Sequence, residues 1–152
     1  MKTVLLMGVA VLLLTAGLAR SASEPAKPRA VLTDKAPKPG PYSQGIVAGE
    51  FLFVSGMTPT DPQTGNLIAG GIEQATDRVM DNLAAVLATE HLGFADVVKV
   101  TVYLAKGDDF AAFNTAYLKR IGDARPARTS VFVSGLPKGA ALEVDVVALT
   151  HH

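Results

Sequence analysis

Pro126-Ala127-Arg128-Thr129-Ser130-Val131-Phe132-Val133 passes through Gly135-Leu136-Pro137-Lys138-Gly139 into Ala140-Ala141-Leu142-Glu143-Val144-Asp145-Val146-Val147-Ala148-Leu149. The Thr, Val and Phe content of the first limb predicts a strand. The second limb alternates, with Leu142, Val144, Val146 and Ala148 on one side and Glu143 and Asp145 on the other, which is the period of a half-buried strand. Joined by a Gly- and Pro-containing turn, the limbs read as an antiparallel hairpin that carries one arginine and two carboxylates.

Upstream of this stretch, Val97–Leu104 has strand composition and is expected near the sheet's centre. Gly45-Ile46-Val47 and Phe51–Ser55 flank a turn at Ala48-Gly49-Glu50 and predict a second hairpin. Gly56–Gly65 is dense in turn residues and reads as a loop. From about Gly71 to Glu90, apolar Ile72, Ala75, Val79, Leu83, Val86 and Leu87 recur at helical spacing. Gln74, Asp77, Arg78, Asp81 and Asn82 then fall on the other face. Asp108 or Asp109 is expected to cap a second helix that runs through apolar Phe110, Phe113, Tyr117 and Ile121 and ends before Pro126. The order strand, strand, helix, strand, helix, strand, strand predicts an α+β domain with both helices on one face of a mixed sheet. The other face is then wet or covered by a partner, and its Val and Ile content favours an oligomer.

The chain has 152 residues, 14 Lys and Arg against 14 Asp and Glu, and no cysteine. One domain is the economical reading of that length. Balanced charge offers no long-range attraction for nucleic acid or an anionic membrane. Without cysteine there are no disulfides, thiolate nucleophiles or cysteine metal sites. Lys2 precedes the apolar run Val4–Leu14, and small residues follow. This is the pattern of a secretory signal peptide over residues 1–19, with cleavage after Ala19. A cut after Ser23 and an uncleaved anchor are the alternatives. Residues 20–35, broken by Pro25 and Pro28, read as a flexible leader in which Ala30–Thr33 could add a short edge strand. The domain proper spans 36–150.

Chemistry rests on few groups. Arg128 presents a fixed guanidinium fork that matches a carboxylate bidentately; its bland reading is a paired surface arginine. Glu143 could orient or deprotonate a water, or it could lie on a solvated strand face. In the hairpin register Glu143 lies opposite Val131 or Phe132, several residues from Arg128. If both act on one small ligand, another chain completes the site. Tyr42, Ser55 and Asn114 offer neutral hydrogen bonds, or serve as a packed turn aromatic, a strand-end hydroxyl and a helix surface amide. Ser130 has no evident His–Asp companions among His91, His151 and His152. The terminal histidines present no third metal ligand.

From about Ala36 to Leu149 the chain resembles the RidA/YjgF-type reactive-intermediate deaminases. The matching segments are Gly40-Pro41-Tyr42-Ser43-Gln44, Val54-Ser55-Gly56, Asp61–Gly65, Asn82-Leu83, Val98–Val102, Asp109–Asn114, Pro126–Thr129, and Leu136–Ala140 into Glu143. The resemblance implies a chorismate-mutase-like fold assembled as a homotrimer with sites between subunits. It implies hydrolysis of 2-imino acids or their enamine tautomers to 2-oxo acids and ammonia, with no cofactor and no metal. Carried across by position, Arg128 would clamp the substrate carboxylate and Glu143 would handle the attacking water. Tyr42, Ser55 and Asn114 would line the cleft, and backbone groups near Gly56 and Ser130 would hold the imine end. Met57 stands where many members have glutamine, and Ser130 where several have cysteine. A non-catalytic binder of small carboxylates, or an extracellular interaction protein, is the competing function. Nucleic acid and membrane are not expected partners of the mature chain, and its expected location is periplasmic or secreted.

The signal-peptide reading has a direct check. N-terminal sequencing of the exported protein should begin at Arg20; an intact Met1 in the membrane fraction would contradict cleavage.

Overall fold

The computed structural model describes residues 27–151. The signal-peptide stretch 1–19 and the start of the leader lie outside the described residues. The elements are β1 (Arg29–Val31), β2 (Gly45–Ala48), β3 (Phe51–Met57), α1 (Ile72–Leu87), β4 (Val97–Leu104), α2 (Phe110–Ile121), β5 (Ala127–Phe132) and β6 (Leu142–Leu149). They form one six-stranded mixed sheet in the order β1-β2-β3-β6-β4-β5, with both helices on one side. The α+β architecture therefore matches its expectation. So does the β2–β3 hairpin, which turns at Gly49, whose φ of 59° suits glycine. The short edge strand foreseen in the leader is β1, paired antiparallel with β2.

The C-terminal hairpin does not form. β5 runs parallel to β4, and β6 lies on the other side of β4, antiparallel to both β3 and β4. Two physical reasons account for this. β4, α2 and β5 make a crossover, and a strand that returns through a helix runs in its predecessor's direction. The two limbs also differ in what they must bury. Leu142, Val144, Val146 and Ala148 of β6 are at most 2% exposed, whereas β5 is exposed along almost its whole length. The more apolar limb takes the centre and the other takes the edge. A left-handed pair, Lys138 (φ 57°) and Gly139 (φ 75°), turns the chain between them. Backbone bonds from Val133 N–H to Leu104 O and from Ala105 N–H to Ala141 O fasten both limbs to the end of β4.

The core lies between the helices and the inward face of the sheet. Leu83, Val86, Leu87 and Phe113 from the helices meet Leu52, Val100, Val102, Leu104, Leu142 and Val144, all fully buried. On the outward face Phe51, Phe53, Val98, Val131 and Leu149 remain exposed, Phe53 by 47%. Such an apolar face is what a docking surface presents.

Two buried amides position the loops. Asn82, assigned to the polar face of α1, is buried. It sits three residues from Val79 and four from Val86, so geometry places it on the apolar stripe although its chemistry is polar. Its Nδ2 donates to Thr58 O (3.1 Å) and Thr60 O (2.9 Å). Gln44 is also buried; Oε1 accepts from Thr33 N–H (2.6 Å) and Nε2 donates to Thr33 O, Ala36 O and Pro37 O. These bonds tie residues 33–37 to the start of β2. At α2, Asp109 occupies the cap position, but its side chain caps nothing and its backbone is already helical.

Leu83→Ala removes a fully buried side chain at the contact of α1 with the sheet. The expected loss is about 2–5 kcal/mol in denaturant unfolding at fixed protein concentration. A loss below about 1 kcal/mol would contradict this seating of α1.

Candidate functional site

The residues singled out in the sequence divide between two clefts. The first, about 320 Å³, is lined by Tyr42, Ser55, Gly56, Met57, Lys138 and Glu143, with Pro37 and Thr60 at its walls. A β-bulge shapes it. Val54 pairs with Val146 and Met57 with Val144, so Ser55 and Gly56 together face Asp145 alone. Such a bulge bends its strand and re-aims the side chains around it. Here it lets Glu143 lie against the backbone of β3. A Cβ built on Gly56 would sit 1.9 Å from Glu143 Oε1, so only glycine leaves room for the carboxyl. Ser55 is held from both sides: its Oγ donates to Ser43 O (2.7 Å) and its N–H to Gln44 O. Tyr42 is 59% exposed at the mouth. Asn82 fixes the wall at Thr58–Thr60, and Lys138 Nζ donates to Gly65 O (2.9 Å) across the cleft. Asp61, from the same loop, is committed to its turn; Oδ1 accepts the N–H groups of Gln63 and Thr64, which hold its carboxyl below the usual range.

Glu143 is half-buried, and its carboxyl titrates above the ordinary value. Burial is the main cause, and the charge of Asp145 two residues along the strand adds to it. Asp145 in turn accepts from the Tyr103 hydroxyl, and this bond is the chief reason that Tyr103 holds its proton above the usual range. Asp145 therefore helps to set the proton affinity of Glu143. Because the folded chain holds this proton more tightly than the unfolded one, the stabilisation is complete below the ordinary carboxylate value. It is lost as pH rises through the elevated value.

The second cleft, about 430 Å³, lies at the far edge of the sheet and is lined by Asn114, Tyr117, Leu118, Arg125, Pro126 and Arg128. Arg128 projects toward α2. Its guanidinium carbon lies 4.9 Å from the Tyr117 ring centroid and 5.7 Å from that of Phe113. Stacking on both rings holds the fork without consuming its donors. Among the described residues no carboxylate pairs with Arg128. Tyr117 is 4% exposed, and burial pushes its hydroxyl up against the opposing pull of Arg128 and Arg125. The sequence showed Tyr117 only as a core position of α2. The missing signal was the parallel crossover, which lays α2 over β5. Ser130 is half-buried on the same strand, two residues beyond Arg128, and lines neither cleft.

Arg128 and Glu143 do not meet within one chain. Arg128 pairs with Val100 and faces the helices, whereas Glu143 pairs with Tyr103 and faces away from them. They stand two strands apart and three rungs out of register, or about 10 Å across the strands and about 10 Å along them. Glu143 does not lie opposite Val131 or Phe132, as a hairpin register would place it; the offset arises instead from β4 standing between the two strands. A site that uses both residues on one small ligand takes one of them from a second chain. Among the described residues no three His, Asp or Glu gather in metal-binding geometry, and His151 Nε2 sits 2.7 Å from Asp96 Oδ1.

Comparison with known proteins agrees with this architecture. The family model described as endoribonuclease L-PSP matches residues 33–150. A RutC family protein of Pyrococcus abyssi is 47% identical over 119 residues, covering 78% of this chain and 94% of that protein. The 2-iminobutanoate/2-iminopropanoate deaminase of Capra hircus is 35% identical over 122 residues, covering 80% and 89%. Among solved structures, E. coli TdcF with bound serine superposes with a TM-score of 0.75 at 31% identity, covering 81% of this chain and 99% of TdcF.

Asp145→Asn should lower the pKa of Glu143 toward the ordinary carboxylate value, because one like charge is removed while burial stays. Carboxyl-selective NMR titration reads this directly; an unchanged or higher value would show that Asp145 does not act on Glu143. Gly56→Ala should also shift the Glu143 carboxyl resonance, because the new Cβ takes the place of Oε1.

Proposed function

We propose that this chain, which belongs to the YjgF/RidA/RutC family, is an exported deaminase that hydrolyses 2-imino acids or their enamine tautomers to 2-oxo acids and ammonia. The observation that carries the reading is a pair of complementary half-sites. One offers a guanidinium with no acid partner among the described residues; the other offers a half-buried carboxyl that resists ionisation. In a cyclic homotrimer each cleft would join Arg128 of one chain to Glu143 of the next. The exposed apolar outer face, with Phe51, Phe53 and Leu149, supports such an assembly.

The chemistry follows from the groups. Arg128 takes the substrate carboxylate through two parallel N–H···O bonds, which fixes the C=N carbon in the cleft. Glu143 accepts a proton from water as the oxygen attacks that carbon. It returns that proton to the nitrogen to give a carbinolamine, then takes the proton of the new hydroxyl and passes it to the nitrogen as the carbonyl forms and the C–N bond breaks; ammonia leaves and a 2-oxo acid remains. A carboxyl with raised proton affinity is a stronger base than an ordinary carboxylate, which suits this exchange. Tyr42, Ser55 and Asn114 supply hydrogen bonds at the rim, and Met57 gives the Glu143 cleft an apolar wall where many relatives carry glutamine. The balanced charge of the chain favours this reading over cleavage of RNA, which the family description names. The apolar run of residues 4–14 supports export.

Two measurements test the proposal. Purified protein added to an amino-acid oxidase should suppress trapping of the imine by semicarbazide, and Arg128→Ala or Glu143→Gln should each lose at least about tenfold of that activity. Turnover that survives Glu143→Gln intact would instead mark a carboxylate-binding protein. Refolding Arg128→Ala and Glu143→Gln together in equal amounts should restore about a quarter of wild-type activity, because a quarter of the mixed interfaces regain both groups. No recovery would place the whole site in one chain.

A further inference from the structure

The arginine cleft holds a second cation that the imine chemistry does not use. Arg125 lines it together with Arg128. Both guanidiniums are charged at any physiological pH. Two other arginines are matched with acids: Arg29 with Glu90, and Arg120 with Asp77 and Asp81. Arg125 and Arg128 have no such partner among the described residues, although Asp123 is only two positions from Arg125. Two like charges on one cleft repel each other unless an anion lies between them.

Both side chains are also held in place. Arg128 is stacked on Tyr117 and Phe113. Arg125 Nη1 donates to Gly122 O and Ala124 O, each at 2.7 Å, where the chain leaves α2. Those bonds use Nη1 and leave Nη2 and Nε to donate elsewhere. The two residues are three apart in extended chain around Pro126, so their Cα atoms lie within about 10 Å. Two long side chains held on that spacing can reach the two ends of one small molecule.

We propose that this cleft selects small dicarboxylates, Arg128 holding one carboxylate and Arg125 the other, so that the preferred substrates are imines of dicarboxylic amino acids. The reacting imine rests on the deaminase reading; recognition of two carboxylates does not. The second carboxylate neutralises the charge of Arg125, which a monocarboxylate on Arg128 would leave uncompensated, and Arg125 meets it as a charge-assisted donor.

Isothermal titration calorimetry on the assembled full-length protein separates these points. Wild type should bind succinate or glutarate about tenfold more tightly than propionate or butyrate. Arg125→Leu should abolish that preference, and Arg125→Lys should keep part of it. In the imine assay, the ratio of kcat/KM for the glutamate-derived imine over the alanine-derived imine should fall by about tenfold in Arg125→Leu. If Arg125 only caps the end of α2, Arg125→Leu lowers the unfolding midpoint but leaves both ratios in place, and the inference fails. It also fails if wild type shows no dicarboxylate preference, or if inorganic phosphate competes as strongly as glutarate. A dicarboxylate preference without any imine turnover would overturn the deaminase reading and uphold this one.

Discussion

Two helices cover one face of this sheet and leave the other face open. Because side chains alternate along every strand, that single constraint sorts the whole sheet into dry and open positions. On β6 the dry positions are Leu142, Val144, Val146 and Ala148, so Glu143 and Asp145 must face away from the helices. On β5 the register with Val100 turns Arg128 toward α2, where Tyr117 and Phe113 receive it. The separation of the arginine from the glutamate is thus a consequence of how the core is buried. Moving Glu143 to the other face would require a one-residue slip of β6 that exposes a full row of apolar side chains.

The two clefts differ in kind. Around Glu143 the protein withholds solvent and adds a like charge, and both make the ionised carboxyl costly. The bulge at Ser55-Gly56 makes this arrangement possible, since a side chain at Gly56 would occupy the carboxyl's place. Around Arg128 the described residues supply aromatic faces but no paired acid, so positive charge stays available. One cleft resists carrying negative charge and the other awaits it. This complementarity is what a carboxylate-bearing electrophile would use.

Much of the architecture could be read along the chain. The spacing of Ile72, Ala75, Val79, Leu83, Val86 and Leu87 located α1, and β-branched runs located β3, β4 and β6. These signals are local: each depends on periodicity within one element. The C-terminal hairpin failed because adjacency in sequence stood in for adjacency in the sheet. A turn rich in Gly and Pro is compatible with a hairpin, but here it carries the chain past the end of β4. Asn82 was misplaced because its polarity outweighed its position, although its spacing from Val79 and Val86 was that of a core residue. Tyr117 and Asp145 looked ordinary because their partners, Arg128 and Glu143, matter to them only through the folded geometry.

By itself the sequence determined the element order, the α+β class, and the residue types that can bind and protonate: an arginine beside a proline, a glutamate in an alternating strand, and a Ser-Gly pair. Those follow from local propensity and from the chemistry of single side chains. Only the tertiary structure decided that β4 lies between β5 and β6, that Arg128 and Glu143 occupy opposite faces, and that Arg125 shares a cleft with Arg128. The reason is physical. Strand order is set by competition among limbs for the buried centre of the sheet, and proton affinity is set by burial and neighbouring charge. Both are properties of the packed whole that no single stretch of the chain contains.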